Sequence, residues 1–453
     1  MNRLWNLGKL VVVAALIAGA LALPESGAKG SAPGSAGVRC RIELDRAVLP
    51  VAEGERAVVK VTLDAPPAPP RQKRPAVNLA LVLDRSGSMR GTKLQKAKEA
   101  AIEALRRLGP RDIFAVVTYD TNIQTIVPAQ HATNIAAIEE RIRAIRTGGS
   151  TALFGGVSQG AAEVRKNLDG NYVHRIVLLS DGLANVGPQT PEDLGRLGTA
   201  LIKEDISVTT VGVGVDYNED LMTRLADRSD GNTYFVENSN DLPRIFTAEL
   251  GDVLSIVAKK VVLIIECPEG VLPVSIIGRD GRIKGRTVEL SLNQLYGGQE
   301  KYALVEVTVP KAAPGERREI AVARISYDDP FTQRRETALG RASARFSADR
   351  DEVAQSFNKA VQRDYFYHRA AVAVDNTIVL SDEGKVKQAV RELRSSAREL
   401  KQAAQQYNDK KLEERASQLE QQAEDLDRDG MTKKKRKGWV TDNYQFRKQQ
   451  MTK

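Results

Sequence analysis

The sequence is poor in the side chains that most often carry chemistry. In 453 residues it has two cysteines, Cys40 and Cys267, and three histidines, His131, His174 and His368. No histidine has a spaced partner that suggests a metal site or a hydrolytic triad, so no enzyme is expected on that ground. No G-x-x-x-x-G-K-[ST] segment is present to cradle a phosphate. After Leu23 no segment is apolar enough to cross a bilayer, and no repeat of solenoid length occurs.

What is present bounds the class. The length exceeds one ordinary core and points to about two or three domains. A composition of 42% hydrophobic and 28% charged residues fits a soluble globular chain. The net charge of +9 gathers at the end, where residues 431–453 hold eight Lys/Arg against Asp442 alone. At the other end, Arg3 and Lys9 flank a 14-residue apolar run from Leu10 to Leu23, with the small-x-small triplet Ala20-Leu21-Ala22. This reads as a signal peptide over 1–22, and the protein is expected to be periplasmic or extracellular. An uncleaved N-terminal anchor is the alternative, although the run is short for a spanning helix. In an oxidising compartment Cys40 and Cys267 are candidates for a disulfide; in a reducing one they are buried thiols.

Patterning divides the rest. Residues 23–37 form a Gly/Ser/Ala/Pro linker. Residues 38–66 alternate apolar and polar side chains as half-buried strands do, and 66–75 is a Pro-rich break. From 76 to 253 strands alternate with amphipathic helices. Strands are predicted over Val77–Leu83, Ile113–Tyr119, Arg175–Leu179, Ile206–Val213 and Thr233–Val236, and Ile123–Val127 reads as an antiparallel edge. This order predicts an α/β fold with a doubly wound, mostly parallel sheet. Residues 258–347 read as an antiparallel β domain, joined by the 38–66 strands if the α/β unit is an insertion. Residues 351–430 are helical, with apolar stripes at Val386–Tyr407 and Leu412–Leu426 that break register at Asn408-Asp409. That break is either a hairpin turn or a shifted seam, and the stripe is either an internal packing seam or a coiled-coil surface for self-association. Residues 431–453 read as a solvated basic tail, with association to an anionic membrane surface as the other reading. Asp425, Asp427 and Asp429 resemble the start of a calcium loop, but Arg436 stands where a bidentate Glu is needed.

One constellation stands out. Asp84, Ser86 and Ser88 follow the strand LALVL as D-R-S-G-S; Thr151 closes Thr147-Gly148-Gly149-Ser150-Thr151; Asp181 follows the strand RIVLL in Ser180-Asp181-Gly182. In a parallel sheet, loops after neighbouring strands converge on the carboxyl edge. They would bring two carboxylates and three hydroxyls together, an all-oxygen set suited to a hard cation, Mg²⁺ or Mn²⁺. So few direct charges leave the cation electrophilic and hydrated, ready for an incoming carboxylate.

Over about 76–253 the chain resembles the von Willebrand factor type A family, with its metal-ion-dependent adhesion site of D-x-S-x-S, a distant Thr and a further Asp. The resemblance implies that Ser86 and Ser88 bind metal directly, that Thr151 does so in the ligand-ready state, and that Asp84 and Asp181 act largely through water. It also implies that the helix near 241–253 shifts on ligand binding. The expected function is a metal-dependent adhesion module that captures an exposed Asp or Glu of a protein partner, with no nucleic acid expected. The alternative is a structural or accessory envelope protein in which the metal only stabilises the domain.

Overall fold

The first three strands, β1 (Arg39–Leu44), β2 (Val48–Pro50) and β3 (Glu55–Asp64), do not make a sheet of their own. The computed structural model, which describes residues 37–450 apart from 53, 69, 71–73 and 169–171, shows them joining strands from far later in the chain. The expected signal peptide and most of the linker lie outside the described residues.

Between the two halves of this β system the chain builds an α/β domain. It begins with β4 (Ala76–Asp84), α1 (Thr92–Arg107), β5 (Ile113–Tyr119), β6 (Ile123–His131) and α2 (Ile135–Arg143). It continues with α3 (Leu153–Arg165), β7 (Tyr172–Ser180), α4 (Pro191–Lys203) and β8 (Ile206–Val213). It ends with α5 (Glu219–Ser229), β9 (Thr233–Val236) and α6 (Leu242–Val253). The sheet runs β6-β5-β4-β7-β8-β9, parallel throughout except for β6. β4 is buried along its whole length because successive side chains face opposite cores. Leu79, Leu81 and Leu83 pack towards α1, α2 and α6, whereas Ala80 and Val82 pack towards α3, α4 and α5. The doubly wound α/β reading is correct.

The return strands are β10 (Ile256–Glu266), β11 (Leu272–Ile277), β12 (Arg282–Lys284), β13 (Thr287–Tyr296), β14 (Glu300–Val309), β15 (Arg317–Asp329) and β16 (Arg334–Ser347). They form two sheets, β1-β3-β14-β11 and β12-β13-β10-β15-β16-β2, over one apolar core. β3 pairs with β14 (Val59 with Val305) and β2 runs parallel to β16, so the α/β domain is an insertion. Its two ends meet at one turn, where Gly298 N–H donates to Pro66 O at 2.9 Å and Gly297 N–H to Ser255 O at 2.8 Å. A Cβ on Gly297 would lie 2.4 Å from the Ala68 nitrogen, so this crossing needs glycine.

Of the two readings of the cysteines, the disulfide is not formed. Cys40 and Cys267 are both free thiols. Cys40 lies against Gly340 of β16, while the Cys267 amide donates to Arg286 O beside β13. Strands β10 and β15 separate those neighbours in the sheet. Pairing of backbones, not a covalent link, holds the early strands in the later sheets.

The C-terminal part comprises α7 (Arg350–Gln355), α8 (Lys359–Asp382), α9 (Val386–Tyr407), α10 (Lys410–Asp429) and α11 (Lys433–Lys448). The register break is a hairpin: Asn408 takes the left-handed conformation (φ 48°) and Asp409 caps α10 through the Lys411 amide at 2.9 Å. The stripes on α9 and α10 are buried against each other and α8, so they form an internal seam. α10 stops at Gly430. Among the described residues no helix is long and apolar enough to cross a membrane.

The solvated tail is also corrected. Residues 433–448 are helix α11, whose cations meet acids of the inserted domain and of α8. Lys434 pairs with Glu237 at 2.8 Å, Lys448 with Asp227 at 2.6 Å, and Arg436 with Glu219, Asp220 and Asp382 at 2.6, 2.8 and 2.7 Å. With those charges already paired within the molecule, the tail offers few of them to a membrane.

His368 is buried where α8 crosses β14, with Nε2 at 3.2 Å from Tyr302 Oη. Burial first, then the positive charges of Arg279, Arg447 and Lys60, push its imidazole down to about 3. A depressed histidine contributes stability that is present above the unfolded value near 6.5 and lost as pH falls towards the folded one. Unfolding free energy should therefore fall by on the order of 1 kcal/mol per pH unit below about pH 6.5. Denaturant titrations of wild type and His368→Gln should show this slope flattened in the variant; equal slopes would remove His368 as its source.

Candidate metal centre

β5 lies on one side of β4 and β7 on the other, so the winding reverses at β4. Crevices at such switch points, outside the carboxyl ends of the strands, are where α/β sheets bind ligands. The two strand ends there carry Asp84 and Asp181.

Asp84 is the last residue of β4 and fully buried. Its Oδ1 accepts the Ser86 amide at 2.8 Å, a local turn that Asp favours, and its Oδ2 accepts Ser180 Oγ from β7 at 2.9 Å. The chain then bends through Gly87 so that Ser86 and Ser88 face each other, Oγ to Oγ at 3.0 Å. Ser88 Oγ donates to Asp181 Oδ1 at 2.7 Å. Four of the five predicted residues thus share one run of hydrogen bonds.

Thr151 enters from the third loop. Gly148 N–H donates to Arg85 O at 2.7 Å, and Gly87 N–H to Gly149 O at 2.9 Å, which ties the two loops together. Gly148 is required, because a Cβ there would fall 1.6 Å from Asp120 Oδ2, and Asp120 is held by Arg85 at 3.1 Å. The Thr151 amide donates to Asn185 Oδ1 at 2.7 Å. The position a Cβ would take on Gly182 is 3.5 Å from both Ser88 Oγ and Thr151 Oγ1, so glycine leaves room between these hydroxyls.

Three participants escaped the sequence reading. Ser180 holds Asp84 through one hydrogen bond and Asn185 holds Thr151 through two, and neither leaves a spacing pattern. Lys93, in the first turn of α1, places Nζ 2.6 Å from Asp181 Oδ2. In sequence it looks like any solvated helix lysine.

The donor set fits a hard dication. Burial pushes the Asp84 carboxyl up to about 6, against the hydrogen bonds from Ser86 and Ser180, so a cation beside it would favour the ionised form. Adjacent ligands on an octahedron with Mg–O near 2.1 Å lie ~3.0 Å apart. The Ser86–Ser88 oxygen separation, 3.0 Å, matches that spacing. Among the described residues no three His, Cys, Asp or Glu side chains are placed to hold a metal ion together, so a cation at this centre would take its remaining oxygens from hydroxyls.

Residues 78–248 match the family model of the von Willebrand factor type A domain, and the chain carries such a domain there. Domains of this family are typically metal-dependent adhesion or protein-binding modules, and their adhesion-site motifs bind divalent cations. An uncharacterized protein of Synechocystis sp. is 28% identical over 268 residues, covering 57% of this chain and 63% of that protein. The chain therefore spans under two thirds of that relative's length. A solved structure described as von Willebrand factor type A from Catenulispora acidiphila superposes with TM-score 0.65 at 18% identity, covering 84% of this chain and 89% of that one. The ArnB paralog VWA2 from Sulfolobus acidocaldarius superposes with TM-score 0.59 at 17% identity, covering 90% and 98%. At such identities the likeness is one of fold, and it reaches beyond the inserted domain to the flanking parts.

Proposed function

We propose that the protein is a non-enzymatic binding module in which Mg²⁺, or Mn²⁺ in its place, captures an Asp or Glu side chain of a protein partner. The observation that carries this reading is the Ser86–Ser88 pair of hydroxyl oxygens at octahedral spacing, hydrogen-bonded to Asp181, on the sheet's switch point. Ser86, Ser88 and Thr151 would supply hydroxyl ligands, and Asp84 and Asp181 the negative charge. When bound, the cation supplies an electrophilic corner for a carboxylate. Lys93 neutralises part of Asp181, so two carboxylates, one ammonium and one dication leave the occupied centre net positive. That balance favours an anionic ligand.

The non-enzymatic part rests on the histidines: among the described residues none hydrogen-bonds Ser86 or Ser88, whose hydroxyls bond each other and Asp181, while His174 faces Asn78 and His368 faces Tyr302. We further place the protein outside the cytoplasm, on the N-terminal sequence features alone.

A variant carrying Asp84→Ala with Ser86→Ala should lose Mg²⁺ binding by calorimetry, with its circular dichroism unchanged. Mg²⁺ affinity equal to wild type would defeat the assignment. The interlocking of the inserted domain with the sandwich and α11 favours a second reading, an accessory scaffold stiffened by the ion. Chelator would then lower the thermal midpoint without releasing any partner.

A further inference from the structure

Beside the centre, between α1 and the segment joining α2 to α3, runs a groove of about 480 Å³. Arg90 and Thr147 stand at its mouth. Arg90 lies two residues after Ser88, and Thr147 opens the loop that ends at Thr151, so the loops that build the centre also build the end of the groove. Leu94 and Ile145 form an apolar floor, and Arg90, Lys98, Arg143 and Arg146 line the rest.

The charge of this wall is uncompensated. Lys98 Nζ donates to the carbonyls of Arg143 and Ile145 at 2.9 and 3.3 Å, and Arg146 Nη1 donates to the same two at 3.0 and 3.2 Å. Among the described residues no carboxylate pairs with Arg90, Lys98 or Arg146. Arg143 is taken by Glu139 at 2.5 Å, and the wall's one acid, Glu99, is taken by Lys96 at 2.7 Å. Burial, then Arg146, holds the Lys98 ammonium below its usual range, as expected where cations crowd.

We propose that this groove docks an acidic, extended segment of the partner: one carboxylate enters the metal centre, and the Asp or Glu side chains next to it in the partner lie along α1 against Arg90, Lys98 and Arg146. The inference rests on the metal-dependent reading above. α1 from Thr92 to Ile102 spans ~15 Å, the length of about four or five extended residues. Polymeric nucleic acid fits less well, since three unpaired cations over an aliphatic floor do not track a regularly spaced phosphate backbone.

The test uses the full chain and two labelled octapeptides, one with a leading Asp followed by Glu residues, the other with every Glu replaced by Gln. In Mg²⁺ the Glu peptide should bind wild type about tenfold tighter than the Gln peptide, and that advantage should shrink as salt rises. The Arg90→Gln, Arg146→Gln double variant should bind both peptides alike while its calorimetric Mg²⁺ affinity stays within about twofold. Equal binding of the two peptides to wild type, or an advantage that survives in the double variant, overturns the groove. Displacement of the Glu peptide by an equally charged single-stranded oligonucleotide also overturns it, in favour of a nucleic-acid site. Absence of any Mg²⁺ heat in wild type defeats the metal reading instead, and the Glu/Gln ratio, measured again in EDTA at low salt, still decides the groove.

Discussion

Replacing Arg175 with alanine should cost the protein roughly 3–5 kcal/mol, the range for removing one partner of a buried ion pair. Arg175 is fully buried in β7, on the edge of the inserted domain that faces the sandwich. Its Nη2 donates to Gln294 Oε1 at 2.8 Å and to Tyr296 Oη at 3.3 Å, both on β13. Its Nε lies 3.8 Å from Glu249 Oε1 on α6. Glu249 in turn accepts Thr209 Oγ1 at 2.6 Å, Asn232 Nδ2 at 2.8 Å and Tyr234 Oη at 3.1 Å. Without the guanidinium, Glu249 keeps three donors but no cation, Tyr296 loses its bond to β7, and the Gln294 side chain keeps only its bond to Ser207 Oγ on β8 at 3.0 Å. The same network restrains α6, the helix whose shift the family resemblance implies. Denaturant titration should show the loss in Arg175→Ala and a partial recovery in Arg175→Met with Glu249→Leu, which removes both charges. A cost below about 1 kcal/mol in the single variant would mean that water reaches the pair as at a surface.

The second large effect is expected at Lys437. This side chain is buried, donates to Tyr217 O at 2.7 Å, contacts Glu219, and lies 4.6 Å over the Tyr217 ring. Lys437→Glu sets a second carboxylate against Glu219 in a site closed to solvent, so roughly 3–5 kcal/mol of docking should be lost. Amide exchange should accelerate across 433–448 while the amides of β4 and β7 keep their protection. Lys433 is the contrast: its pair with Asp216 is 3.3 Å long with both side chains over two thirds exposed. Lys433→Glu should change stability by no more than about 1 kcal/mol. If the two variants open α11 equally, the helix is held by general charge attraction and not by the buried contact.

The contrast between these lysines shows where sequence reading stops. Lys433 and Lys437 stand in one basic run, and the acids that pair with them are Asp216 and Glu219, remote in the chain and in a different domain. A local charge count sees only the excess. The strands Ile113–Tyr119, Ile206–Val213 and Thr233–Val236 were legible to the residue because buried parallel strands admit little but β-branched and aromatic side chains. The α9–α10 seam was legible for the same reason in helical period, whereas the choice between hairpin and shifted seam depended on the backbone at Asn408. α8 faces α9 on one side and the sandwich and α11 on others, so its apolar residues ring the helix and no stripe announces its role. At the centre, the ligand candidates sit at strand ends where type and spacing are diagnostic; Lys93 and Ser180 act by geometry alone.

Pro66 and Ser255 both end on the amides of Gly297 and Gly298. During synthesis β1 and β3 leave the ribosome with only each other to pair with, and the second edge of β3 stays open until β14 has been made. An early-folding insertion shortens that search, because it delivers its two ends side by side and replaces a long, entropically costly closure with a brief one. The nascent sandwich therefore depends on the module it encloses, and a lesion that slows the insertion would strand the first strands with their apolar faces bare, open to aggregation before translation has finished.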